Sequence, residues 1–138
     1  MKDLNKFIEE IIDKKEKGDI TGDVLRVLVL FGGTLWLSEI VQDLAGFYTT
    51  LNIDKEVKRG EIEKSIQILV NKGIASAEDR VRATMLHNRG IKDKLVSLTN
   101  IEQVSLMLTG DYKLREYLRR REEEFSKLSK FRGMESEE

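Results

Sequence analysis

The chain has 138 residues, of which 40% are hydrophobic and 36% charged, and its formal net charge is −1. This length suits one domain with an added element, and the lack of cysteine excludes disulfides, thiol nucleophiles and cysteine-based zinc sites. The first twenty residues alternate charge and hydrophobe at helical spacing. We therefore expect neither a signal peptide nor a membrane span, and we predict a cytoplasmic protein.

Charge is distributed unevenly along the chain. Residues 1–54 contain six Lys and Arg against ten Asp and Glu, whereas residues 55–94 contain ten against six. Residues 95–138 are nearly balanced. The basic middle segment keeps a nucleic-acid partner possible although the whole chain is slightly acidic.

The first predicted element is an amphipathic helix within residues 1–20, ending near Gly18. Its apolar residues recur at three- and four-residue spacing, as on one face of a helix. These residues are Leu4, Phe7, Ile8, Ile11 and Ile12. Such an apolar stripe needs a partner surface.

The next segment, residues 24–31, is apolar almost all round. This pattern is typical of a central helix, although its valines also permit a buried strand. A glycine pair at residues 32–33 ends the segment in either case. Residues 34–37 predict a short strand, and Ser38 is the predicted N-cap of a helix that runs through Phe47.

A third core helix is predicted from about Lys58. Gly73 ends it as a C-terminal glycine stop. Downstream, residues 74–85 and 94–99 have strand-like content, with a turn signal at residues 88–90 between them. This pattern predicts a β-hairpin.

The C-terminal part of the chain predicts a long helix. Asn100 with Gln103 resembles a capping box that opens a helix, and residues 110–111 permit a break. The helical stripe then continues almost to Phe131. The acidic end, residues 132–138, is predicted to be a disordered tail.

The order of elements from residue 21 to residue 99 resembles the winged-helix variant of helix-turn-helix proteins, especially small archaeal and bacterial transcription regulators. Residues 35–44 are similar to the family's short strand and first helix of the helix-turn-helix, and residues 61–74 to its recognition helix. The resemblance implies a mainly α fold with a small β-hairpin, in which the winged-helix core carries an added N-terminal helix and a long C-terminal helix. The predicted divisions are residues 1–20, 21–99, 100–131 and 132–138.

The resemblance implies duplex DNA as the partner and transcription regulation as the function. An α-helix fits the major groove, while Lys and Arg side chains neutralise phosphates. In the presumed recognition helix the candidate contacts are Lys58, Arg59, Lys64, Ser65 and Gln67. In the presumed wing they are Arg80, Arg82, Arg89, Lys92 and Lys94.

Two alternatives to DNA contact stay open. A charged hairpin is often only a solvated edge that prevents sheet-to-sheet aggregation. The same fold can also be a protein–protein interaction module, which the net charge of −1 and the acidic Glu61 and Glu63 would suit. A continuous basic surface would favour DNA, whereas an exposed apolar groove would favour a protein partner.

A homodimer interface is expected on the long C-terminal helix, because its apolar stripe is wider than a small domain needs. The predicted interface residues are Leu114, Tyr117, Leu118, Phe125 and Leu128. A two-fold pair would set two recognition helices about 34 Å apart, the spacing of successive major grooves. The alternative is that both terminal helices fold back onto their own domain.

Enzymatic function is the least favoured class. His87 is the sole histidine, so a multi-histidine metal site is excluded and a Ser-His-Asp triad would depend on one hairpin residue. The sequence has no glycine-rich phosphate loop, and Glu122 to Glu124 belong to an exposed helical repeat. We expect no catalytic residue, cofactor or metal.

Overall fold

The computed structural model describes the backbone of residues 2–13, 19–84 and 87–136, and the side chains of residues 4–13, 19–83 and 90–128. The helices are α1 (Lys2–Asp13), α2 (Thr21–Leu30), α3 (Leu37–Thr50), α4 (Arg59–Asn71), α5 (Ile101–Met107) and α6 (Tyr112–Ser136). The strands are β1 (Thr34–Trp36), β2 (Ala75–Thr84) and β3 (His87–Leu98). The described chain is mainly helical with a small antiparallel sheet, which confirms the prediction of a mainly α fold with a small β-hairpin.

The three strands form one sheet in the order β1-β3-β2. β3 lies in the middle and pairs Val96 with Leu35 of β1 on one side and with Ala77 of β2 on the other. Because β1 has only 3 residues, the outer halves of β2 and β3 extend past it as a two-stranded hairpin. The hairpin is therefore joined to the core at its base.

Helix α2 lies at the centre of the core. Residues 21–28 are all buried, which explains why this segment is apolar almost all round. The helical interpretation is confirmed, and the alternative of a buried strand is wrong. α1 packs against α2 and α5 and buries Ile8 and Ile11, so the N-terminal helix folds back onto its own domain.

Glycines end the helices where the sequence predicts. Gly33 and Gly73 have positive φ angles of 91° and 75°, which glycine adopts without steric strain. After α4, the N–H of Ile74 donates to the carbonyl of Leu69 at 2.9 Å and closes a Schellman motif. A Cβ at Gly33 would also crowd the end of the Ile101 side chain, which would have to shift.

The two predicted helix caps have opposite outcomes. Asn100 Oδ1 accepts a hydrogen bond from the N–H of Gln103 at 3.2 Å, so the predicted cap of α5 is confirmed. The predicted cap of α3 is wrong, because the N-cap position is Trp36. The Ser38 hydroxyl turns instead to the hairpin and donates to Asp93 at 2.5 Å.

The hairpin differs from its prediction at the tip. β2 continues to Thr84 and β3 already begins at His87, so the strands are separated only by residues 85–86, which lie outside the described residues. Residues 88–90 belong to β3, and the pairing register shifts beside them. Gly90 has a φ angle of 76°, so the predicted turn signal marks a β-bulge within a longer strand.

The predicted dimer stripe on helix α6 has a buried part and an exposed part. Leu114 and Tyr117 are buried, and the centroid of the Tyr117 ring lies 5.2 Å from that of the Phe47 ring in α3. Their assignment to a dimer interface is therefore wrong, since both belong to the chain's own core. The exposed members of the stripe are Leu118, Phe125 and Leu128.

The second half of α6 projects from the domain. From Arg121 to Leu128 every side chain is exposed. The helix continues to Ser136, so the predicted end near Phe131 is wrong and helical backbone enters the segment predicted to be disordered. Side chains after residue 128 lie outside the described residues.

A buried ionic network joins four parts of the fold. Arg26 of α2 binds both carboxylate oxygens of Asp111, at 2.6 and 2.9 Å, and donates to Asp23 at 2.7 Å. It also donates to the carbonyl of Ile12 at the end of α1. Tyr48 of α3 donates to Asp23 at 2.6 Å. Every buried polar side-chain atom among the described residues has a hydrogen-bond partner.

Burial and charge together fix the protonation of this network. Burial opposes the charge of Arg26, but the hydrogen bonds and charges of Asp111 and Asp23 outweigh it and raise the pKa of the guanidinium. Burial, followed by the charge of Asp23, raises the pKa of Tyr48 far above its usual range. Tyr48 therefore stays a neutral hydrogen-bond donor.

We predict that Asp111→Asn lowers the free energy of unfolding by about 3 kcal/mol, because it leaves the buried charge of Arg26 short of a partner. Asparagine retains the ability to cap α6, where Asp111 accepts from the N–H of Leu114, so the substitution isolates the charge. Urea unfolding followed by circular dichroism measures the change. The control Glu63→Gln, in an exposed ion pair, should change stability by less than about 1 kcal/mol. Equal effects of the two substitutions would contradict the prediction.

Candidate nucleic-acid interface

A groove of about 490 Å³ lies between α4 and the hairpin. Four of the predicted DNA contacts line it, although they come from two distant parts of the sequence. These are Arg59 of α4 and Arg80, Lys92 and Lys94 of the hairpin. The fold thus brings together part of the predicted basic set.

Carboxylates share this groove with the cations. Glu63, Asp79 and Asp93 also line it. Arg59 Nε lies 3.3 Å from Glu63 Oε1, and Lys94 Nζ lies 3.9 Å from Asp79 Oδ1. The groove is therefore a mixed surface with a small excess of positive charge.

Lys92 differs from the other groove cations. Arg80 pairs with Glu78 at 2.7 Å, and Arg59 and Lys94 have the carboxylate partners described above. Lys92 is exposed and forms no ion pair with any described residue. A ligand could therefore bind its charge without breaking an ion pair to a described residue.

The Arg82 side chain contacts other residues of its own chain. Its Nη1 donates to the Ser38 hydroxyl at 2.8 Å and lies 3.6 Å from Asp93 Oδ2, while its guanidinium lies over the Trp36 ring at 5.7 Å from the centroid. These contacts fasten the hairpin to the start of α3. The assignment of Arg82 to DNA contact therefore conflicts with its structural role, in which its guanidinium packs over the Trp36 ring.

Asp93 is the acceptor at the centre of this anchor. Burial alone would raise the pKa of its carboxyl group. Hydrogen bonds from the Ser38 hydroxyl and from the backbone N–H groups of Lys94 and Ser38, together with the charge of Arg82, outweigh burial and lower the pKa. The anchor thus depends on an ionised carboxylate.

The exposed face of α4 carries further predicted contacts. Lys58, Lys64 and Gln67 are exposed, whereas Ser65 is buried with its hydroxyl oxygen 3.3 Å from the Thr21 hydroxyl. The prediction for Ser65 is wrong. Its spacing of three residues from Ile62 and four from Leu69 already placed it on the core face.

Sequence reasoning did not select Asn71 and Ile68, which lie on the same face of α4. Asn71 Oδ1 accepts a hydrogen bond from Nε2 of the predicted contact Gln67 at 2.9 Å, and Ile68 is 41% exposed. The spacing of four residues between Gln67 and Asn71 was the available signal. Of the remaining predicted contacts, the side chain of Arg89 lies outside the described residues.

Comparison with known proteins identifies no relative: no family model, no curated protein and no solved structure matches the chain. Of the described helices, none combines the length and the apolar content needed to cross a bilayer. Among the described side chains, no group of three His, Cys, Asp or Glu is placed to hold a metal ion.

The anchor of the hairpin should depend on pH. The folded-state pKa of Asp93 is below its unfolded value of about 3.9, so its carboxylate stabilises the fold above that pH, and this contribution is lost as pH falls through the folded pKa. Asp93→Asn should lower the free energy of unfolding at pH 7, and the difference from the parent chain should shrink below about pH 4.

Urea unfolding at a series of pH values measures this difference. Asp54→Asn, which alters an exposed carboxylate, is the control and should leave stability close to that of the parent chain. A difference for Asp93→Asn that stays constant from pH 7 to pH 3 would contradict the predicted role of the ionised group.

Proposed function

We propose that the chain is a winged-helix protein that binds duplex DNA, as a homodimeric transcription regulator. The observation that carries the proposal is the groove, where Arg59 of α4 meets Arg80, Lys92 and Lys94 of the hairpin. Cations from two elements that flank one groove are suited to phosphates on a double helix.

The order and pairing of the elements support the winged-helix assignment. A strand precedes two helices and a hairpin, and the first strand pairs with the last in the sheet order β1-β3-β2. In this assignment α3 and α4 are the helix-turn-helix, and β2 with β3 is the wing. α4 is then the recognition helix.

Docking of α4 in the major groove would bring its exposed face to the bases. Because Gln67 Nε2 already donates to Asn71 Oδ1, Gln67 Oε1 and Asn71 Nδ2 remain as an outward acceptor and donor. Adenine offers a donor and an acceptor on its major-groove edge, and Ile68 could contact a thymine methyl group. An A·T pair suits this face of α4.

Phosphate binding would exchange exposed ion pairs for contacts to DNA. Arg59 is 57% exposed and Arg80 56% exposed within their pairs. Exposed pairs contribute at most about 1 kcal/mol, so giving them up costs little. Lys64 and Lys92 need no such exchange, because neither forms an ion pair with a described residue.

A protein–protein interaction module is the second candidate function. Val81 in the groove is 64% exposed, Ile68 on α4 is 41% exposed, and Glu63 and Asp79 lie nearby. These apolar and acidic groups would suit a basic peptide partner. The cations in the same groove favour DNA over this candidate.

The double variant Lys64→Ala/Lys92→Ala is expected to weaken binding to random-sequence duplex DNA. Loss of two phosphate contacts should reduce the slope of log affinity against log salt by about 1.8, which is about 0.9 for each contact. Fluorescence anisotropy over a salt series measures the slope.

The matched control is Lys6→Ala/Lys127→Ala, which removes the same charge from exposed positions on α1 and α6. Its salt slope should equal that of the parent chain. If both double variants lose affinity equally, the groove is not the binding site. If the parent chain does not bind DNA at low salt, the interaction-module candidate takes precedence.

Glu63→Gln should tighten DNA binding. The change removes a carboxylate that repels phosphates and frees Arg59, so the Kd at low salt should fall about two- to fivefold, equal to about 0.5–1 kcal/mol. The same anisotropy assay measures it, with Glu102→Gln on α5 as an exposed control that should have little effect. Weaker binding by Glu63→Gln would mean that DNA does not approach this part of α4.

A further inference from the structure

The outer part of the hairpin, residues 79–83 and 91–94, lies beyond the end of β1. Pairing of β1 with β3 stops at Trp36 and Leu95. From there outward β2 and β3 form a two-stranded ribbon, which on its own is only marginally stable. The position of this outer hairpin relative to α4 therefore depends on contacts other than strand pairing.

The side-chain contacts of the outer hairpin converge on Ser38, in the first turn of α3. The Ser38 hydroxyl donates to Asp93 of β3 at 2.5 Å and accepts from Arg82 of β2 at 2.8 Å. In the described part of the chain, every side-chain hydrogen bond from the outer hairpin to a residue outside β2 and β3 ends at this hydroxyl. One hydroxyl group thus ties both strands of the outer hairpin to α3.

Two cations of the groove lie on the other side of the same strand. Successive residues of a strand point to opposite faces, so Lys92 and Lys94 lie on the face opposite to the Asp93 carboxylate. Asp79, which is level with Lys94 on β2, lies 3.9 Å from its Nζ on that face. A rotation of the outer hairpin that separates Asp93 from Ser38 would therefore turn Lys92 and Lys94 relative to α4.

We propose that Ser38 is a positioning residue for DNA binding, which holds the outer hairpin so that Lys92 and Lys94 face the groove beside α4. It acts through Asp93 and Arg82 and makes no contact with DNA itself. The inference rests on the proposed function for its effect on DNA affinity. The position of the outer hairpin, in contrast, is measured on the protein without DNA.

A double-mutant cycle in DNA affinity separates positioning from direct contact. In the parent chain, Lys92→Ala should lower the slope of log affinity against log salt by about 0.9. In the Ser38→Ala chain the same substitution should lower the slope by less than about half that amount, because Lys92 is no longer held beside a phosphate. Lys64→Ala on α4 should lower the slope by about 0.9 in both chains.

Thr34→Ala is the matched control for Ser38→Ala. It removes an exposed hydroxyl whose oxygen lies 3.2 Å from that of Ser97, at the base of the same sheet. In this chain Lys92→Ala should keep its full effect on the salt slope. A full effect of Lys92→Ala in the Ser38→Ala chain would overturn the proposal. An equal loss of the Lys64→Ala effect would also overturn it, because the substitution would then disturb the whole domain.

Distances between spin labels measure the position of the outer hairpin without DNA, and the chain has no cysteine that would compete for the label. Labels on Lys64→Cys and Ala83→Cys, both at exposed positions, should give a narrow distance distribution that broadens with Ser38→Ala. The control pair Lys64→Cys and Ser76→Cys, at the base of the hairpin, should keep its distribution. An unchanged distribution for the first pair would overturn this inference alone. Broadening in a chain that does not bind DNA would support the hairpin contact and contradict the proposed function alone.

Discussion

The bidentate pair of Arg26 with Asp111 is the interaction on which the arrangement of the helices depends. Arg26 is 4% exposed, and a charge so deeply buried is tolerated only when its donors are all satisfied. Its partners are on α2, at the end of α1 and before α6, and Asp23 extends the network to Tyr48 of α3 and Lys113 of α6. Asp111 also accepts from the N–H of Leu114 and so fixes the first turn of α6. The direction in which the exposed half of α6 projects is thus determined at the buried end of that helix.

A second ionic contact, between Asp93 and Arg82, holds the hairpin in place, as the Arg26–Asp111 pair holds the helices. Asp93 of β3 holds the Ser38 hydroxyl at the start of α3, and Arg82 of β2 completes the set from above the Trp36 ring. A two-stranded hairpin alone is only marginally stable, so this contact and the short strand β1 keep its base in place. The hairpin cations therefore have different environments. Arg82 stabilises the fold, whereas Lys92 forms no ion pair with any described residue.

Local patterns predicted the elements well and their surroundings poorly. Gly33 and Gly73 marked helix ends correctly because positive φ is a property of the residue itself. The turn signal around Gly90 was misplaced because strand register depends on pairing along the whole hairpin, which no short window contains.

Periodicity showed that Tyr117 belongs to an apolar stripe, but whether such a stripe faces its own core or a second chain depends on the tertiary packing. For Ser65 the spacing did contain the answer, since it shares the face of Ile62. The contact of Arg82 with Ser38 joins residues 44 positions apart and has no sequence signature.

The carboxylates in the groove bear directly on how selective a DNA-binding surface there would be. Non-specific affinity comes almost entirely from phosphate neutralisation, and Glu63, Asp79 and Asp93 reduce the net charge available for it. The contacts that distinguish one sequence from another then contribute a larger share of the total binding energy. In the proposed complex those contacts would come from two amides and an apolar side chain on α4, namely Gln67, Asn71 and Ile68, whose interactions depend little on net charge. If the proposed function holds, a groove with few unpaired cations beside a face of neutral polar and apolar groups would favour discrimination between sites over general attraction to DNA.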